Sequence, residues 1–256
     1  MFDTDKNLKI LIDADMIVFR SCAACETPID WDCDLTTLHC EHAEAEKLVD
    51  DTVISIVDKV LDHYKYAGEY EILMCFSDKE NFRKHILPSY KANRVGKRKP
   101  LGYSKVVEWV KDNFTCYQKP TLEADDCIGI LATLNPNSSI IVSGDKDFKS
   151  IPGCFYNFLS DTSYEISEEE ANYNHLFQTL IGDTADNYKG CPGIGAVTAK
   201  KILDADPTWE ALVAQFVKKK LTESDALLQA RVARILRKSD YDFKTHKPIL
   251  WSPKSN

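Results

Sequence analysis

The chain lacks any apolar run of the ~18 residues needed to cross a membrane, although 44% of its 256 residues are hydrophobic. Its first ten residues, MFDTDKNLKI, lack the layout of a secretion signal. There is no internal repeat and no low-complexity segment. An even cysteine count is also missing: the chain has nine, so reduced thiols in a cytoplasm are expected rather than disulfides. Positive charge is short as well, with a formal net charge of −8, which would argue against a nucleic-acid partner if it were spread evenly. What remains is a chain long enough for one α/β domain, or one domain with a small appendage, without a membrane association.

The charge is not spread evenly. Between Lys79 and Lys105 there are nine Lys or Arg against a single Glu. Carboxylates gather elsewhere. Thr121 to Phe148 holds Glu123, Asp125, Asp126, Asp145 and Asp147 around one short helix and one apolar strand. The helix is read from Glu123 through Leu134, stopped by the Asn-Pro-Asn turn at 135–137. On its 3.6-residue period Glu123 and Asp126 share a face, with Asp125 at the flank. Asp145 and Asp147, an i, i+2 pair after the strand, point the same way in extended chain. Any one of these acids alone reads as solvated or as favouring a helix dipole. Five converging at a strand end repel and raise each other's pKa, and a cation keeps them ionised. An all-oxygen, histidine-free set suits Mg²⁺ or Mn²⁺ rather than Zn²⁺. Such a site beside a basic block fits a phosphate substrate.

Further strands carry the same signature. Leu8 to Ile12 is an apolar run ending in Asp13-Ala14-Asp15, and Glu71 to Phe76 is followed by Asp78. Asn113 to Gln118 leads into Glu123, and Ser139 to Ser143 into Asp145. Helices are expected at 17–25, 43–66 and 123–134, with a small hairpin inside 26–42. The alternation predicts a mostly parallel central sheet with helices on both faces. Ligands bind such sheets at the C-terminal ends of the strands, where Asp13, Asp78, Glu123 and Asp145 all fall.

Beyond a strand at 154–159 the chain turns helical from about Ser167, where Ser-Glu-Glu-Glu makes an N-cap and acidic first turn. Asp183 and Asp186, at i and i+3, add two carboxylates. The turn Gly190-Cys-Pro-Gly193-Ile-Gly195 opens a helix bearing Lys200 and Lys201, and glycines there let backbone N–H groups approach a phosphate. From Thr208 helix is expected to about Arg237, with Arg231, Arg234, Arg237 and Lys238 forming a basic stripe able to touch DNA. Tyr241 to Asn256 reads as an extended tail. Cys22-x-x-Cys25, with Cys33, Cys40 and His42 nearby, has zinc-like spacing, but within an apolar helical run core cysteine is the better reading.

Six motifs stand in order: Leu-Ile-Asp-Ala-Asp15, Phe76-Ser-Asp78 with Phe82-Arg83, Leu87-Pro-Ser-Tyr-Lys-Ala-Asn-Arg94, Glu123-Ala-Asp-Asp126, Ser143-Gly-Asp-Lys-Asp147, and Gly182-Asp-Thr-Ala-Asp-Asn187 with Gly-Cys-Pro-Gly-Ile-Gly195. This pattern resembles the flap endonuclease/5′-3′ exonuclease superfamily, a PIN/5′-nuclease-like fold. With the tail Tyr241-Asp-Phe-Lys…Lys-Pro-Ile-Leu-Trp251 it looks most like the 5′-3′ exonucleases of T7-like bacteriophages.

The resemblance implies an α/β nuclease core over 1–165, with a helical arch from the basic segment 79–105. A helical region over 166–256 would carry a helix-three-turn-helix at 181–203. By motif match the metal acids are Asp13, Asp78, Glu123, Asp125, Asp126, Asp145, Asp147, Asp183 and Asp186, and Lys91 and Arg94 are catalytic cations at the foot of the arch. Arg83, Lys84, Tyr90, Gly190, Gly193, Gly195, Lys200 and Lys201 are expected to meet nucleic acid, with Tyr90 or Phe82 stacking on a terminal base or serving as arch core. Two Mg²⁺ ions, with Mn²⁺ as a substitute, and K⁺ at the 190–195 hairpin are the implied cofactors. The implied substrate is double-stranded DNA with a 5′ end, and RNA–DNA hybrid beside it. A monomer in the host cytoplasm is expected. A structure-specific 5′ flap endonuclease, or a non-catalytic DNA-binding member, uses the same motifs and stays open. Asp15 stands where many relatives carry an uncharged polar residue and has no assigned role.

Overall fold

The computed structural model describes Phe2 and residues 7–253. Its centre is strand β1 (Leu8–Asp13), fully buried along most of its length because it carries helices on both faces. Parallel neighbours flank it, β4 (Tyr70–Cys75) on one side and β6 (Ser139–Ser143) on the other. The sheet order is β5-β4-β1-β6-β7-β8. β5 (Cys116–Tyr117) and β7 (Gly153–Asn157) continue the parallel set, and β8 (Thr162–Ile166) closes the edge antiparallel to β7.

Alternation along β1 divides the core. Ile10 and Ile12 pack with α1 (Ala14–Ala24), α2 (His42–Tyr64) and α4 (Tyr103–Asn113), whereas Leu11 faces α5 (Ala124–Leu134). The hairpin expected inside 26–42 is β2 (Thr27–Trp31) paired with β3 (Leu35–His39), exposed throughout. Cys22 is buried in the core and all nine cysteines are free thiols. Among the described residues no helix is long and apolar enough to cross a membrane.

Four expectations need correction. The strand at 113–118 shrinks to two residues because α4 runs to Asn113. The basic segment is no helical arch. It forms the five-residue α3 (Phe82–Ile86) and a single 3₁₀ turn at Ala92–Arg94, then a strap over 95–102 with no helix. Pro88, Gly96 and Pro100 oppose helix along this segment. The long C-terminal helix is two, α8 (Trp209–Lys218) and α9 (Glu223–Ala233), broken at Lys220, whose φ of 62° ends one helix before Thr222 caps the next. Lastly, of the basic stripe only Lys238 is exposed, and Arg231 is half-buried with its Nε donating to the Trp251 carbonyl. Arg234 and Arg237 follow α9 in extended chain, each 5% exposed, paired with Asp240 and Glu168 respectively.

α6 (Glu168–Ile181) starts on a capping box between Ser167 and Glu170, as the sequence indicates. With α7 (Ala196–Ala205), α8 and α9 it builds a separate apolar cluster around Leu180, Leu203 and Phe216. The tail forms a two-residue hairpin, β9 (Tyr241–Asp242) with β10 (Lys247–Pro248). Residues 254–256 of the expected tail lie outside the described residues.

Candidate active site

The carboxyl ends of β1 and β6 deliver the first acids. Asp13 caps α1 by accepting from the Met16 amide at 3.2 Å, and takes the Ser143 hydroxyl at 2.9 Å. The same hydroxyl oxygen accepts from the Asp145 amide at 3.1 Å, so Ser143 fixes both acids to the end of one strand. Asp145 in turn accepts from the Asp147 amide at 2.9 Å, starting a 3₁₀ turn over Lys146–Ser150. Asp125 enters from the first turn of α5.

These four acids strain against each other. Burial pushes Asp13 up to about 6, with Asp15 and Asp145 adding repulsion against the help of Ser143. Asp125 is raised well above the carboxylate range by burial, then by Asp13, Asp145 and Glu123. Asp145 is raised, chiefly by burial. Asp147 reaches about 7 through burial, Asp145 and Asp183. The donor chemistry is that of a hard divalent cation held by oxygen. In their present rotamers no three acids, histidines or cysteines among the described residues stand in metal-holding geometry.

Glu123 and Asp126 behave differently. Asp126 is fully buried and both its oxygens are taken by Arg83, at 2.7 Å each. It also accepts from the Glu123 and Leu236 amides. That leaves a structural ion pair rather than a ligand, because its acceptors are committed. Glu123 would be raised by burial, but Lys91 and Arg83 more than offset this and hold it at about 2. Lys91 pairs with Glu123 and lies 3.5 Å from Asp186, while Arg94 pairs with Asp186. The Tyr90 hydroxyl donates to Glu123 at 2.8 Å and Asp186 at 3.0 Å. Asp78 accepts from the Thr121 amide at 2.7 Å, fastening the chain ahead of α5.

Several residues expected to meet nucleic acid are inside. Arg83 is 2% exposed and also donates to the Val232 and Arg234 carbonyls. Tyr90 and Phe82 are buried, so neither presents a ring to a base. Gly190 is buried too, and its N–H goes to Gln229. Lys84, Gly193, Gly195, Lys200 and Lys201 are exposed, Lys200 paired with Asp204 one turn on.

The 182–190 crossing explains its glycines. Gly190 sits at φ +61°, and a Cβ there would lie 2.3 Å from the Gly182 nitrogen and 2.5 Å from the Leu180 carbonyl. Gly190→Ala is therefore expected to destabilise by about 2–4 kcal/mol, read as a shift in urea midpoint.

Acids gathered at the carboxyl ends of a parallel sheet, with Lys91 and Arg94 paired to the neighbouring Glu123 and Asp186, fit a nuclease of the 5′-nuclease fold. The chain has TM-scores of 0.62 to a phage T5 5′-exonuclease described with bound zinc, and to the phage T5 flap endonuclease in complex with DNA and metal ions. Each likeness spans 89% of both chains at 17% identity. Residues 9–172 match the model of the 5′-3′ exonuclease N-terminal resolvase-like domain. The chain is 32% identical to the exodeoxyribonuclease of Enterobacteria phage T3, over 98% of this chain and 94% of that protein. It is also 32% identical to the exonuclease of Escherichia phage T7, over 97% and 94%. The chain belongs to the 5′-3′ exonuclease family, and it is an enzyme of the nuclease class.

Sequence reasoning missed Ser143 and Ser77 as organisers of the site. Both were visible as polar residues closing apolar strands.

Proposed function

We propose that this enzyme removes nucleotides from the 5′ end of double-stranded DNA by divalent-metal-dependent hydrolysis, leaving 5′-phosphate and 3′-hydroxyl ends. The observation that carries this is the convergence of Asp13, Asp145 and Asp147, tied together at the ends of β1 and β6, with Asp125 of α5, as buried carboxylates that burial and then neighbouring acids raise and a cation would relieve. Mg²⁺, with Mn²⁺ in its place as an alternative, would be held by these four, with Asp183 and Asp186 beside them. When bound, Mg²⁺ supplies Lewis-acid polarisation of the phosphodiester and acidifies the attacking water.

The protein's own groups bind and orient. Lys91 and Arg94 offer cationic N–H donors to the phosphate, and Arg94 is half-exposed with donors to spare. Glu123 and Asp186 hold these cations in place, and Tyr90 fixes that acid pair from beneath. Exposed Lys84, Lys97 and Lys99 supply the electrostatic term for duplex binding. α6, the 182–195 loop and α7 would act as a helix-three-turn-helix gripping the backbone at Gly193, Gly195 and Lys201, with K⁺ at that turn. RNA–DNA hybrid as a second substrate, action as a monomer and a place in the host cytoplasm belong to the same proposal.

Flap endonuclease activity is the second reading, and the strap counts against it. The strap is tied down where it begins, by Arg94 to Asp186, and at mid-length, by Arg98 to Glu26. Digestion of 5′- and 3′-labelled duplexes with blunt, recessed and flapped ends separates the readings. Short 5′-labelled products with Mg²⁺, and none with EDTA, are expected. Release of a whole flap would establish the endonuclease, and no cleavage of any substrate would leave a DNA-binding member.

A further inference from the structure

Asp15 lies two residues beyond Asp13, and both of its oxygens are engaged. One accepts from the Ser77 amide at 2.9 Å, and the other from the Tyr103 hydroxyl at 2.9 Å. Each partner leads somewhere. Ser77 precedes Asp78, and its hydroxyl oxygen accepts from the Ala124 amide, the first residue of α5, at 2.9 Å. Its carbonyl takes the Gln118 side chain at 2.7 Å. Tyr103 is the first residue of α4, where the strap returns to the body. Its ring lies 3.9 Å beneath the Lys99 ammonium and meets Phe19 edge-on. Beside it Glu26 grips Arg98 with both oxygens and takes the Leu101 amide at 2.6 Å.

We propose that Asp15 is a positioning residue that registers the basic strap 95–102 against the acid cluster, acting through Tyr103 on one side and Ser77 on the other, and is not itself a metal ligand. The inference rests on the reading that the strap meets DNA. A carboxylate between two donors from different elements sets their separation. Here that separation is the one between the cations that receive the phosphate chain and the α5 turn that carries Asp125. Neither link requires the negative charge. Asparagine can accept from the Ser77 amide through its oxygen and donate to Tyr103 through its nitrogen, because a phenol oxygen accepts as well as donates.

This gives a test in which charge and linkage part company. Asp15→Asn keeps both links and is expected to retain kcat within about threefold, whereas a metal-site acid so neutralised would lose nearly all activity. Asp15→Ala breaks both links and is expected to lose kcat by ~10–100-fold through misplacement. Tyr103→Phe frees only the strap, raising KM for duplex DNA by about 3–10-fold with kcat little changed. Trypsin provides a readout independent of catalysis and of DNA. Cleavage at Lys97–Lys99 is expected to be about tenfold faster in Asp15→Ala and Tyr103→Phe than in wild type, and unchanged in Asp15→Asn. Inactivity of Asp15→Asn with an intact strap would place Asp15 among the metal acids and overturn the proposal. Unchanged trypsin sensitivity in Tyr103→Phe would overturn it as well, and that variant carries the test if Asp15→Ala does not fold. If wild type cuts no DNA, the proposed function fails while the trypsin result still stands on its own.

Discussion

Asp147→Asn abolishes strand cleavage, by ~10³-fold or more, and leaves duplex affinity within about threefold. The expectation follows from how little else the side chain does beyond its hydrogen bond with the Gln178 side chain. Its backbone amide caps the 3₁₀ turn through Asp145, a bond the substitution keeps. What the carboxylate brings is charge, at a price in the metal-free protein: burial, then Asp145 and Asp183, raise it to about 7. A carboxyl whose folded pKa exceeds its unfolded value of 3.8 binds more protons folded than unfolded between the two. The contribution of this group to stability is therefore fully present below about pH 4 and is lost as the pH climbs through 7. Asp13, 4% exposed and raised to about 6, adds at most about 3 kcal/mol of the same sign. Metal-free wild type should melt lower at pH 8 than at pH 5, Asp147→Asn should flatten that slope, and Mg²⁺ should raise Tm more at pH 8. Calorimetry across that range, beside a gel assay of cleavage, checks both halves. A cleaving Asp147→Asn variant would sink the metal-site account.

Arg83→Ala has the largest expected effect on stability, about 3–5 kcal/mol, read from urea denaturation. The substitution strands Asp126, fully buried, without a counter-charge, and leaves the Val232 and Arg234 carbonyls without their donor. Lysine should not rescue it, since one ammonium cannot replace a planar fork reaching two carboxylate oxygens and two carbonyls. Arg83→Met combined with Asp126→Leu should recover part of the loss, because the pair is then removed together. Recovery stays partial, since the Glu123 and Leu236 amides lose their acceptor.

Arg83 also marks where sequence reading stops. Strands β1, β4 and β6 were legible because each is a short apolar run with an acid at its end or within three residues of it. Asp13 and Asp145 were legible for the same reason, Asp147 as the i+2 partner of Asp145, and Asp125 from the helical period of α5. The hairpin at 26–42 and the start of α6 followed from turn and cap residues. By contrast, the fate of Arg83, Tyr90 and Asp126 is set by partners at separations of 33 to 151 residues, which no local pattern encodes. In a basic block an arginine reads as surface, and only the tertiary contacts reveal that this one is inside. The break between α8 and α9 was readable in retrospect, since Thr222-Glu-Ser-Asp225 is a capping box. The extended strap had its own signal in Gly96, Pro100 and Gly102, overridden by the expectation that the resemblance supplied.

The contacts of Arg83 with residues 232–234 bear on how such a nuclease can change over time. The carbonyls that complete its pocket come from the far end of the chain, 149 and 151 residues away. The acid loop at 183–186 is likewise stitched to the foot of the strap by Asn93 and the Lys91 amide. Recombination that exchanged the last hundred residues for those of a relative would have to bring matching carbonyls and a matching loop, or leave a buried guanidinium half-satisfied. Residues 83–94 and 183–234 are thus expected to change together, by substitution within this frame rather than by exchange of C-terminal modules.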